Sequence, residues 1–145
     1  MSTFAKQRVG LIFGFAFAIA GNTAALADVV PVVSAKCSLD HLSKKDLADI
    51  FLGRTARLPD GEQVQAIDQD EGSPVRDEFY ATFLGKTPAQ LKAHWSKIIF
   101  TGRGKPPLAV PNSGETHRLL ATNPHAIAYM DRSQLDSTVK AVRID

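Results

Sequence analysis

The chain has 145 residues, a length that suits one domain and argues against two. Its formal charge is +2, but Lys6 and Arg8 supply the excess, and residues 28–145 carry 15 basic and 15 acidic side chains. That balance excludes the overall electrostatic footprint of a nucleic-acid binder, though not a local basic patch, and the single cysteine, Cys37, excludes an intrachain disulfide.

Residues 1–27 read as a cleavable secretory signal. Lys6 and Arg8 make a short positive start, and residues 9–20 (VGLIFGFAFAIA) are apolar and uncharged. Ala25, Leu26 and Ala27 form the small-x-small pattern that signal peptidase cuts after. The apolar run is shorter than the about 20 residues that span a bilayer. Export to the periplasm, a mature start at Asp28 and no lasting membrane anchor are therefore expected. The remaining 118 residues are enough for one hydrophobic core without covalent staples.

Residues 29–35 (VVPVVSA) are rich in β-branched side chains and predict a buried strand, with Pro31 suggesting an edge position or a strand that starts after it. Ser43 is placed to cap a helix whose apolar positions are Leu47, Ile50 and Phe51, and Gly53 is suited to end it. Leu58, Pro59, Asp60 and Gly61 spell a turn. Residues 63–68 (QVQAID) alternate and predict a second strand. Ser73 and Pro74 then mark a helix start, with Val75, Phe79, Phe83 and Leu84 as its stripe and Gly85 as its end. Thr87 and Pro88 repeat that start for a helix carrying Leu91, Trp95, Ile98 and Ile99 to Gly102. Residues 102–107 (GRGKPP) read as a basic, irregular loop. Residues 113–121 predict a short helix stopped by Asn123 and Pro124. Residues 126–130 and 139–144 predict closing strands. The alternation of strands and helices implies a sheet with helices packed on it.

Few residues point to chemistry. The junction at 68–76 (DQDEGSPVR) joins a strand to a helix start, where unpaired N–H groups and the positive end of the helix dipole favour anions. Gly72 would admit a ligand to the backbone, Ser73 adds a hydroxyl, and Arg76 lies one turn in. Read by itself, such a start is an ordinary capped helix with a solvated arginine. Asp68, Asp70 and Glu71 also crowd it with negative charge. Arg103 and Lys105 offer a second anion contact or a plain surface connector, with spacing unlike a Walker loop. His41, His94, His117 and His125 form no recognised metal pair, and no cofactor is implied. No G-x-S-x-G elbow is present. Trp95, among apolar neighbours at helical spacing, reads as core.

Four blocks taken together carry a resemblance. They are residues 47–53 (LADIFLG), 71–85 (EGSPVRDEFYATFLG), 112–114 (NSG) and 123–130 (NPHAIAYM). Their order and spacing resemble the phosphate-binding proteins of bacterial ABC importers, in the type 2 periplasmic-binding superfamily. The likeness is to short, single-lobe relatives. It implies an α/β fold with a mixed sheet flanked by helices, and a non-enzymatic, anion-binding role. In the full-length family two lobes close on phosphate, and the junction reads approximately arginine-x-x-glycine-serine-glycine-threonine. Ser73 matches the serine, Pro74 and Val75 stand at the second glycine and the threonine, and Gln69 falls at the arginine.

The leading expectation is thus an exported binding protein holding a phosphate-like anion at Gly72, Ser73, Val75 and Arg76, with Arg103 or Lys105 contributing, and a link to phosphate import. The alternative is a module without a transport role, whose single degenerate lobe docks a protein partner or its own copy. An exported hydrolase finds little support in the residues.

Overall fold

The computed structural model describes residues 28–145, so the expected secretory segment lies outside the described residues. A central sheet of five strands runs in the order β4-β3-β5-β1-β6. Its members are β1 (Val29–Ser34), β3 (Gln65–Gln69), β4 (Leu108–Val110), β5 (Ala126–Asp131) and β6 (Val139–Ala141). β3 runs parallel to β4 and β5, whereas β1 is antiparallel to β5 and β6, so the sheet is mixed. β2 (His41–Leu42) and β7 (Arg143–Ile144) form a small parallel pair beside it.

Alternation along the strands divides the core between the two sheet faces. Val29 and Val33 of β1 and Ile127 and Tyr129 of β5 join one apolar cluster. Val30 and Val32 of β1 and Ala126, Ala128 and Met130 of β5 join the other. The first face is covered by α1 (Lys44–Phe51), α2 (Pro74–Phe79) and α3 (Pro88–Phe100), through Leu47, Phe51, Phe79, Leu91 and Trp95. The second is covered by α4 (Ser113–Thr122), through Leu120.

The caps read from the sequence are in place. Ser43 accepts from the Asp46 amide, and Thr87 with Gln90 closes a full capping box. Gly53 and Gly85 end their helices at φ +71° and +62°. After α2 the chain widens into a π-helical turn over Tyr80–Leu84 before Gly85 stops it.

Four expectations are corrected. Pro31 is neither at an edge nor before the strand, because β1 begins at Val29 and has neighbours on both sides. Its carbonyl accepts from Val142 where β6 has already ended, so its missing N–H faces the frayed end of that ladder. Residues 139–144 are not one strand. Val142 separates β6, in the main sheet, from β7, which pairs with β2. The loop after α3 runs into β4, a short edge strand that its proline-rich approach conceals. Finally, Ile99 does not join the apolar stripe of α3 but is 58% exposed.

Candidate functional site

The site begins where β3 ends. Ile67 faces the second core cluster, so alternation turns Asp68 towards the first. Asp68 is 5% exposed and sits among aromatic rings. Its carboxylate accepts from the Tyr80 hydroxyl at 2.8 Å, from the Gln69 amide at 2.9 Å and from the Tyr129 hydroxyl. The Arg76 Nε lies 3.5 Å from the same carboxylate, and its guanidinium carbon stands 5.3 Å from the centre of the Tyr80 ring. A buried charge needs a partner and hydrogen bonds, and Asp68 has both. Burial, followed by the nearby Asp68 charge, pushes the Tyr80 and Tyr129 phenols far above their ordinary range. Phe79 stacks on Tyr129 with ring centres 4.0 Å apart, and Phe51 closes the group edge-on.

Gln69 and Ser73 form the outer half of the junction. The Ser73 hydroxyl donates to Gln69 Oε1 at 2.7 Å and accepts from the Arg76 amide at 3.3 Å. Ser73 is thus the helix cap and is also tied back to β3. Gln69 is 5% exposed, and its Nε2 has no hydrogen-bond partner among the described residues. An unpaired buried amide nitrogen is costly unless something else accepts from it.

Gly72 adopts φ +92° with open space where a Cβ would stand, so the turn demands the glycine. Val75 packs its side chain against the first core cluster, which leaves only its backbone N–H for a ligand. Arg76 bends inward to Asp68, and its side chain is only 12% exposed. Asp70 and Glu71 are exposed beside the turn, and Glu71 approaches Lys92 at 4.0 Å. Arg103 and Lys105 line other depressions. Arg103 shares one with Arg54, His94 and Lys97, and Lys105 shares one with Arg54, Thr55 and Leu108. Neither depression includes any residue of 70–76, whereas Pro106 of the same loop lines a third with Glu71, Arg76 and Lys92.

Sequence reading missed the roles of Asp68, Tyr80 and Tyr129. Asp68 reads there as crowding charge, whereas its burial sets the geometry of the junction. A signal was present in the alternation of residues 63–68, which put Asp68 on the same face as Val64 and Ala66.

No protein-family model matches the sequence, and no curated protein matches it. Solved structures do match. An ABC-type phosphate transport receptor from Vibrio cholerae aligns with 82% of this chain at TM-score 0.63 and 18% identity. PstS from Borrelia burgdorferi aligns with 82% at TM-score 0.62 and 14% identity. A Clostridium perfringens protein, described as a phosphate ABC transporter substrate-binding protein and solved with bound phosphate, aligns at TM-score 0.63 and 19% identity. The chain has the fold of a single lobe of these binding proteins. It spans 45–47% of the length of those three structures. The mixed sheet with helices on both faces is the architecture that the sequence resemblance implies.

Proposed function

We propose that this chain is an exported, non-catalytic binding lobe that holds phosphate or a similar small oxyanion where β3 gives way to α2. One observation carries the reading: the buried, unpaired Gln69 Nε2 adjoins the Ser73 hydroxyl, at the position where the resemblance expects an arginine. An oxyanion there would accept from Gln69 Nε2, from the Ser73 hydroxyl after it turns away from Gln69 Oε1, and from the Val75 amide. Arg76 supplies positive charge from behind, shared with Asp68. A neutral amide in place of a guanidinium, with Asp70 and Glu71 close by, makes for weaker capture than a full donor set gives. A link to phosphate import belongs to the same reading, because structures named for that transport share the fold.

The test is isothermal titration of the folded chain with phosphate and, separately, sulfate. Saturable heat is expected, with affinity lowered about tenfold by Gln69→Ala, as loss of one hydrogen bond to a charged group predicts. Absence of heat at millimolar anion would remove this function.

A further inference from the structure

The neutral charge of residues 28–145 hides a strong segregation. Residues 28–78 hold 11 acidic and 6 basic side chains, whereas residues 79–114 hold five Lys or Arg and no Asp or Glu. The positive segment contains α3, the loop after it and β4. It also contains every strongly exposed large apolar side chain among the described residues: Ile99 at 58%, Phe100 at 93% and Leu108 at 49%.

The two features meet at the end of α3 and the loop that follows it. Phe100 is the last residue of α3. Lys97 and Arg103 line a depression on one flank of α3, Ile99 lines another with Lys92, Arg76 and Glu71, and Lys105 and Leu108 share a third beside the following loop. Lys97, Arg103 and Lys105 make no ion pair with the described residues. An aromatic ring left in water at a helix end, followed by a basic loop whose cations make no ion pair among the described residues, suits an occupant that is both apolar and anionic.

We propose that this tip docks reversibly on an anionic phospholipid surface, with Phe100 and Ile99 entering the headgroup boundary and Lys97, Arg103 and Lys105 meeting lipid phosphates. The pairing of apolar insertion with basic flanks is that of peripheral membrane contacts. An acidic protein is the less suitable partner. The three apolar side chains offer on the order of 400 Å², about half of what each side of a stable protein interface buries. The proposal is independent of anion binding at Gln69 and Ser73.

The experiment is co-sedimentation of the full chain with vesicles of equal phosphatidylglycerol and phosphatidylcholine, against vesicles of phosphatidylcholine alone. Any binding contributed by residues 1–27 is common to all variants. Binding to the anionic vesicles in excess of that to phosphatidylcholine alone is expected to fall at least tenfold in the Lys97→Gln, Arg103→Gln, Lys105→Gln triple variant and in Phe100→Ser. All four positions are exposed, so the fold should survive these changes. A local reading comes from Phe100→Trp, whose added indole emission should shift to the blue with anionic vesicles only. No shift, or equal binding by all variants, overturns the proposal. So does a concentration-dependent dimer that the triple variant abolishes while vesicles leave the protein in solution, which would assign the tip to a second copy of this chain.

Discussion

Asp68 illustrates how one residue can organise a site without touching a ligand. Its carboxylate holds both tyrosines of the chain and the one arginine of α2. Replacing it by Asn leaves Arg76 as an uncompensated buried charge, and urea unfolding should show a loss of about 3–5 kcal/mol. Adding Arg76→Gln to that variant should restore a substantial part, because the unpaired charge is gone. Equal losses in the single and double variants would mean that the ion pair is not what the site depends on. The tyrosines give a second reading, this time against pH. Both phenols are held protonated in the fold. In the unfolded chain they ionise at about pH 10, so above that value the unfolded state releases protons that the folded state keeps. Stability is therefore complete below pH 10 and falls above it, by up to about 1.4 kcal/mol per tyrosine per pH unit. Tyrosinate absorbance at 295 nm should rise only as the protein unfolds, and a rise in the folded protein would contradict the burial. At this scale the sequence was legible for caps and poorly legible for charge. Ser43, Ser73 and Thr87 announce themselves through the residues that follow them. A buried Asp68 looks like any surface aspartate until Tyr129, 61 positions away, is brought against it.

Elements are fixed here by their ends as much as by their stripes. Gly53 and Gly85 both close helices in the left-handed region, yet they face different surroundings. A Cβ on Gly85 would meet nothing within 4 Å, whereas one on Gly53 would stand 2.8 Å from the Trp95 ring. Gly85→Ala should thus cost only the backbone penalty, about 1 kcal/mol. Gly53→Ala adds displacement of a packed indole and should cost about 1–3 kcal/mol more. Thermal melts of the two variants side by side, with Trp95 emission as a local probe, decide the point. Equal costs would show that the indole moves freely. Helices were the readable elements because glycine, proline and hydroxyl caps mark their limits in the residues themselves. Strands were less so. β4 has three residues and β2 has two, too few for alternation to register. The break at Val142 leaves the alternation intact, with Val139 in one cluster and Val142 in the other, and only partner choice separates β6 from β7.

For the whole molecule, the order of the four resemblance blocks carried the architecture, since two fall on the helices of one face, one on the helix of the other and one on the sheet between them. Whether Arg103 or Lys105 reaches the junction is a matter of tertiary distance that spacing along the chain does not encode. The exposed Phe100 tip was hidden for the same reason, because a helical stripe does not tell where its covering ends. The sheet also makes a prediction about cooperativity. β1 and β5 each place alternate side chains in both core clusters, so neither face can lose its packing while the other keeps its strands. Trp95, the only tryptophan, reports on the first face. Leu120, fully buried on α4, belongs to the second. Leu120→Ala should cost about 2–5 kcal/mol through lost burial and the cavity left behind. If the two faces are coupled through the shared strands, Trp95 emission and far-ultraviolet circular dichroism will move together to lower denaturant in that variant, in one transition. A Trp95 transition that stays in place while the dichroism splits in two would mean that each face folds on its own.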